Sequence, residues 1–193
     1  MSMRMFVAVQ PPLEVVEDLA EYVEPRRERD SPLRWSAVDQ WHLTLAFLPS
    51  MAERILDDLL ERLTAAAGRR EKFELSVSGA GAFPDAAAAK VLWAGVAGNT
   101  EELGKLATNV RAGAGKAGVE VEGGPFRPHL TLARLGQPLD VTRWFRVLDL
   151  YSGPSWRVEE VTLFQSYLGQ GPRGRARHEV VETFELDNQS ELS

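Results

Sequence analysis

No cysteine occurs anywhere in the chain, which excludes disulfides, thiolate nucleophiles and cysteine-ligated zinc. Histidine is nearly as scarce, with three in 193 residues. No apolar run approaches the ~20 residues that a bilayer-spanning helix needs, and Met1-Ser2-Met3-Arg4 leads into Met5-Phe6-Val7-Ala8-Val9 without the cleavage region of a secretory signal. The chain therefore reads as cytoplasmic. Positive charge is also in short supply: 22 Lys and Arg against 28 Asp and Glu leave a formal net charge of −6. That balance argues against a protein that coats long nucleic acid, because such binding draws on many contacts from Lys and Arg to phosphates. A few local arginines still suffice for one terminal phosphate. Arg127 and Arg134 are placed for this, and Arg173, Arg175 and Arg177 punctuate a Gly-rich stretch that reads equally as a solvated loop.

What the chain does have is one tetrapeptide written twice. His42-Leu43-Thr44-Leu45 and His129-Leu130-Thr131-Leu132 stand 87 residues apart. In a strand, the period of two places His42 and Thr44 on one face and Leu43, Leu45 and Phe47 on the other, and the second copy repeats this arrangement. Imidazole is the side chain whose unperturbed pKa lies nearest neutrality, so two of them supply an acid and a base for a proton-neutral displacement such as phosphodiester cleavage.

The surrounding pattern repeats as well. Residues 4–10 read as a strand, and Pro11-Pro12 opens a helix with Leu13, Val16, Leu19 and Val23 inward. A short strand at 33–36 precedes the first His strand, 41–48, and Ser50 with Glu53 has the form of a capping box for a helix carrying Ile55, Leu56, Leu59, Leu60 and Leu63. Strands at 73–77 and 90–96 are joined by a connection, Gly79 to Asp85, whose glycines and proline mark irregular backbone. Asn99 caps a further helix, Gly123-Gly124-Pro125 breaks the chain before the second His strand, 129–134, and a helix at 140–149 precedes strands at 156–167 and 176–186. The order of elements in the first half recurs from Lys90, so the halves look like two copies of one unit. The expected organisation is a single bilobal domain over 1–186, followed by a polar tail, 187–193.

These residues resemble the two-histidine (2H) phosphoesterase superfamily and, within it, the RNA 2',3'-cyclic phosphodiesterases, also called 2'-5' RNA ligases or LigT-like proteins. The resemblance extends beyond the tetrapeptides to Phe6-Val7-Ala8-Val9, Trp35, Gly81 with Phe83-Pro84, Val91-Leu92-Trp93, Phe126-Arg127-Pro128 and Leu163-Phe164. It implies an α+β fold: a bilobal, pseudo-twofold duplication with two antiparallel sheets lining a central cleft and helices on the outer faces. It also implies hydrolysis of a terminal 2',3'-cyclic phosphate on RNA or a nucleotide to a 2'-phosphate, without metal or organic cofactor, and a reverse 2'-5' ligation. In that frame His42 is the proton donor and His129 the acceptor, and Thr44, Thr131 and Arg134 hold the phosphate. Spacing alone does not say which histidine is the acid.

Phe83 and Phe126 are candidates to stack on a terminal base and equally candidates for the core. Arg134 lies an odd number of residues from His129, so an ideal strand would aim it away from the phosphate; a bulge or strand end at Ala133 to Leu135 would re-aim it. Pro49 stands where many relatives have glycine, and His178 where they often carry tyrosine; His178 reads as a packing or surface histidine. Two rival functions remain. One is a metal hydrolase, disfavoured because neither motif carries a second histidine or a carboxylate at ligand spacing. The other is a non-catalytic module for RNA ends or nucleotides that keeps the cleft without turnover. The expected partners are RNA 3' ends or small nucleotides with a cyclic phosphate, with no membrane, no obligate protein partner and a monomeric state.

Overall fold

Alternate residues of the first strand, β1 (Ser2–Val9), enter two different environments: Met5, Val7 and Val9 join the main core, while Phe6 and Ala8 form a separate small cluster with Phe164. A strand buried on both faces needs cover on both, and here helices lie on one side while the other looks into a cleft. The computed structural model describes residues 2–27 and 31–187. After β1 come α1 (Leu13–Val23), β2 (Arg34–Trp35), β3 (Leu43–Ala52), α2 (Leu56–Ala67), β4 (Phe73–Phe83) and β5 (Ala89–Gly98). The chain continues through α3 (Thr100–Lys116), β6 (Leu130–Leu139), α4 (Thr142–Asp149), β7 (Ser152–Val158), β8 (Glu160–Tyr167) and β9 (Arg177–Glu185). No helix among the described residues is long and apolar enough to cross a membrane.

The strands run β7-β4-β5-β6-β3-β1-β8-β9, every pairing is antiparallel, and β2 adds to β6. The two sheets expected from the sequence are thus the two halves of one continuous sheet. They meet where Leu43 of β3 opposes Leu130 of β6. The halves exchange strands: β4, which closes the first copy of the repeat, pairs with β5 of the second, and β8, from the second copy, pairs with β1 of the first. Helices follow the same exchange. The Tyr22 hydroxyl of α1 donates to the Val147 carbonyl of α4 at 2.7 Å, and the Tyr151 hydroxyl donates to Asp18 of α1. Each copy is therefore incomplete without the other.

Several local expectations change in the structure. Gly79 to Asp85 is not a loop: β4 runs through Phe83, with a register shift between Val77 and Ala80 that places Gly79 at φ +77°. Gly81 then lies opposite Trp93, and a Cβ there would fall 2.0 Å from the indole, so this glycine serves close approach rather than a turn. Ser50 does not cap α2; β3 continues through it to Ala52, its hydroxyl meets that of Ser2 at 2.7 Å, and a 3-10 turn, Glu53–Ile55, leads into the helix. Asn99 occupies the N-cap of α3, but its side-chain oxygen accepts from the Glu74 N–H across the sheet edge. Leu13 is 66% exposed, and Val15 takes its inward place. The stretch 156–167 is divided at Glu159 into β7 and β8, which belong to opposite halves. Of the tail, Asp187 donates its N–H to the Arg70 carbonyl at 2.8 Å; residues 188–193 lie outside the described residues.

The Gly81–Trp93 contact yields a stability prediction. Gly81→Val forces the indole out of its position, and overpacking of this kind typically costs about 1–3 kcal/mol. Urea unfolding should show a midpoint lowered accordingly, and an unchanged midpoint would remove the close-approach explanation of this glycine.

Candidate active site

Each His strand carries a bulge at the same place in its motif. On β3, Thr44 opposes Ala8 and Ala46 opposes Val7, so Leu45 is the extra residue. On β6, Thr131 opposes Trp93 and Ala133 opposes Leu92, so Leu132 is the extra residue. A bulge reverses which face later residues point to. Beyond it, Phe47 lies beside Phe6 in the cleft-side cluster rather than with Leu43 and Leu45 in the core, which corrects the simple alternation expected from the sequence. The same reversal aims Arg134 into the cleft with His129 and Thr131, and the bulge lies one residue before the stretch where one was expected.

Ladder groups freed at a bulge need partners. The Leu132 carbonyl accepts from Ser36 N–H at 2.8 Å, and the Leu45 carbonyl accepts from Arg111 Nε at 2.8 Å. Arg111 also donates to the Gly124 carbonyl at 3.0 Å, and Glu122 N–H donates to the Phe47 carbonyl at 2.9 Å. The segments preceding the two histidines thus each brace the other copy's His strand.

With Leu43 opposite Leu130, the antiparallel register sets His42 across from Thr131 and Thr44 across from His129. The histidines are then diagonal neighbours on one face, about 7–8 Å apart between backbones. His129 Nδ1 lies 2.6 Å from the Arg127 carbonyl, which can only accept, so Nδ1 carries the hydrogen and Nε2 is left free. The backbone of Gln40, two residues upstream, acts on His42 in the same sense, favouring its protonated form. Aromatic rings fix the planes. Phe6 stacks on His42 with centroids 4.8 Å apart and Phe164 lies at 6.3 Å, while Phe83 meets His129 edge-on at 4.9 Å and Trp93 lies at 5.8 Å.

Burial among these rings disfavours charge on both imidazoles. For His42, desolvation is the largest cause, reinforced by the nearby His178, His129 and Arg134, and its pKa is pushed down to about 4. For His129, desolvation again leads and Arg134 adds to it, against the raising effect of the Arg127 carbonyl. One arginine thus acts electrostatically on both histidines. Among the described residues, no three His, Asp or Glu side chains converge to hold a metal ion.

Of the residues singled out in the sequence, the structure brings His42, His129, Thr44, Thr131, Arg134 and Phe83 to one cleft. Phe126 instead packs against the main core, with the Arg111 guanidinium 5.6 Å from its ring. Arg177 stacks on Tyr167 and pairs with Glu179. His178 is a packing histidine, but of the cleft itself: it lies edge-on to Phe6 at 4.9 Å and to His42 at 5.9 Å. Phe6, Trp93 and Phe164 were not recognised as site residues from the sequence. One signal was present, since Phe6 and Trp93 stand 87 residues apart, the same offset as the histidines.

A family model described as the 2'-5' RNA ligase superfamily matches residues 11–170. An RNA 2',3'-cyclic phosphodiesterase of Thermus thermophilus is 34% identical over 193 residues, covering 95% of this chain and 90% of that protein. One from Aeropyrum pernix is 32% identical over 154 residues, covering 77% and 86%. Among solved structures, a Thermus thermophilus protein superposes with a TM-score of 0.77 at 30% identity, covering 95% of this chain and 98% of that one. E. coli LigT complexed with 3'-AMP superposes with a TM-score of 0.75 at 28% identity, covering 96% and 99%.

The electrostatics predict the titration of the free protein. In the unfolded chain a histidine binds its proton near pH 6.5, whereas folded His42 stays neutral down to about pH 4. Between those values the unfolded state holds more protons, so stability falls as pH is lowered through this window, by at most about 1.4 kcal/mol per unit from His42. Histidine NMR titration should place His42 and His129 both below 6.5, with His42 the lower; a midpoint of His42 at or above 6.5 would contradict the buried ring cage.

Proposed function

The chain belongs to the 2'-5' RNA ligase superfamily, and from that premise we propose that it is an RNA 2',3'-cyclic phosphodiesterase, hydrolysing a terminal cyclic phosphate to a 2'-phosphate by acid–base catalysis from two imidazoles without a metal. The observation that carries this reading is the matched pair of bulged His-x-Thr-x strands converging on one arginine. Curated relatives bearing the name of this activity support it.

In the proposed reaction the phosphorus sits between the two histidines. His129, neutral and with Nε2 free, takes a proton from water as the water oxygen bonds to phosphorus. His42, protonated in the complex, gives its proton to O3' as the P–O3' bond breaks, leaving a 2'-phosphate and a 3' hydroxyl. Each such proton transfer is typically worth about 10²- to 10⁴-fold in rate. Thr44 and Thr131 donate to the nonbridging oxygens, and Arg134 balances the charge that grows there. With a 5' hydroxyl in place of water as the nucleophile, the same displacement of O3' joins the two strands by a 2'-5' link and leaves a 3' hydroxyl, but water is the abundant nucleophile and hydrolysis prevails.

Low imidazole pKa values in the free protein set a further condition. An imidazole with a pKa of about 4 is neutral at pH 7, so it must acquire its proton in the substrate's presence. The phosphate anion raises the imidazole pKa, because a neighbouring negative charge favours the imidazolium, and the proton is taken from solvent. The kcat/KM profile, which reports the free enzyme, should therefore be bell-shaped with its optimum below pH 6.5, and the kcat profile should be displaced to higher pH.

RNA ending in a 2',3'-cyclic phosphate tests the proposal. The expected product is the 2'-phosphate, formed at the same rate in excess EDTA, with His42→Ala and His129→Ala each lowering kcat by at least about 10²-fold while binding is partly kept. Tight binding without turnover of any cyclic phosphate would favour a binding module instead, and loss of activity in EDTA would favour metal hydrolysis.

A further inference from the structure

The half of the cleft built from β3, β1, β8 and β9 holds basic groups that the hydrolytic steps do not use. Ser166 pairs with His178 across β8 and β9, and the register that sets Met5 opposite Gln165 brings Arg4 opposite Ser166. Arg4, Ser166 and His178 thus form one row across three strands. The next row toward the catalytic histidines consists of aromatic rings: Phe47 opposes Phe6, and Phe6 opposes Phe164 with centroids 5.0 Å apart.

Neither basic group in the outer row is saturated. The Arg4 guanidinium lies 4.2 Å over the Phe47 ring, its Nε is buried without a hydrogen-bond partner, and among the described residues it makes no ion pair. His178 Nδ1 is likewise buried without a partner. The carboxylate that acts on His178 is Asp39, and Arg4 acts on it with opposite effect. Glu179, the neighbour of His178 in sequence, is engaged by Arg177. An anion at Arg4 and His178 would pair a guanidinium that makes no ion pair among the described residues, and would accept from His178 in the form that carries the Nδ1 hydrogen.

We propose that Arg4 and His178 form a second anion subsite that takes a phosphodiester one or two nucleotides upstream of the terminal cyclic phosphate, making the substrate an oligoribonucleotide end rather than a cyclic mononucleotide. The inference rests on the placement of the leaving O3' at His42 in the proposed function. Ribose and everything 5' of it are attached on that side of phosphorus, so the RNA runs over the β1 half. Arg4 stands four strand residues, ~13 Å, from Ala8, the residue opposite Thr44. The intervening rings of Phe6, Phe47 and Phe164 pack on one another and under Arg4, and form an apolar floor between the two phosphate positions.

The test compares kcat/KM for adenosine 2',3'-cyclic phosphate, ApA ending in a cyclic phosphate and ApApA ending in a cyclic phosphate, in wild type, Arg4→Gln and Arg4→Lys. Wild type should gain about tenfold at the first or second added phosphodiester, as one charged hydrogen-bonded contact provides. The gain should shrink between roughly 50 and 200 mM salt, collapse in Arg4→Gln and largely survive in Arg4→Lys. Equal kcat/KM on all three substrates, or a gain that Arg4→Gln leaves intact, overturns the subsite. Should Arg4→Gln not fold, the salt dependence decides: a gain in wild type that does not weaken with salt overturns it. Should no cyclic phosphate be turned over at all, the proposed function fails separately. The subsite is then read from binding of fluorescent ApApA ending in a 2'-phosphate, at least fivefold tighter to wild type than to Arg4→Gln; equal binding overturns it.

Discussion

One opposed pair of leucines, Leu43 on β3 and Leu130 on β6, joins the two halves of the sheet. Everything chemical is referred to that pairing. Both leucines are fully buried, each sits between the histidine and the threonine of its own motif, and the antiparallel register around them turns two separate tetrapeptides into one diagonal quartet. A slip of one residue would send each histidine to the opposite face. The bulges at Leu45 and Leu132 do the remaining aiming, and their carbonyls are held by Arg111 and Ser36 from the other copy of the repeat. Strand exchange, helix exchange and cross-bracing all tie the halves together, so the geometry of the quartet is a property of the whole chain.

The ring cages around the histidines set a tension between order and charge. Phe6 and Phe164 on one side, Phe83 and Trp93 on the other, fix the imidazole planes, and the Arg127 carbonyl selects Nδ1 of His129 as donor. The same enclosure strips water from the imidazoles and lowers their affinity for protons. Arg134 and His178 push His42 further in that direction. In the proposed reaction, the charge of a cyclic phosphate would offset Arg134 and draw a proton onto His42. Binding and activation are then one event, and a neutral ligand of similar shape would not bring it about.

The repeat and its contents were legible in the sequence because the motif pattern and the element order both recur. The two His-x-Thr-x strands stood out because one tetrapeptide occurs twice, and the helices followed from apolar spacing and chain breakers. What could not be read were features decided by contacts between distant strands. Gly79 and Gly81 carry the local mark of a loop, yet one occupies a register shift and the other makes room for Trp93, whose identity as a partner depends on the β4–β5 pairing. Phe47 obeys alternation until a bulge reverses it, and the bulge reflects how β3 meets β1. Arg134 looked misdirected for the same reason. Ser50 and Glu53 have the spacing of a cap, but a longer β3 took the serine. His178 gave no sign of its place because it reaches the cleft on the last strand, across β8 and β1 from the histidine it meets.

The most direct test is a crystal structure of the chain with a 2'-nucleotide bound. The account predicts one phosphate whose oxygens lie within hydrogen-bond distance of His42, His129 and the Arg134 guanidinium together, with the ribose on the His42 side. A phosphate touching only one of the two imidazoles, or seated outside the cleft between β3 and β6, would contradict it.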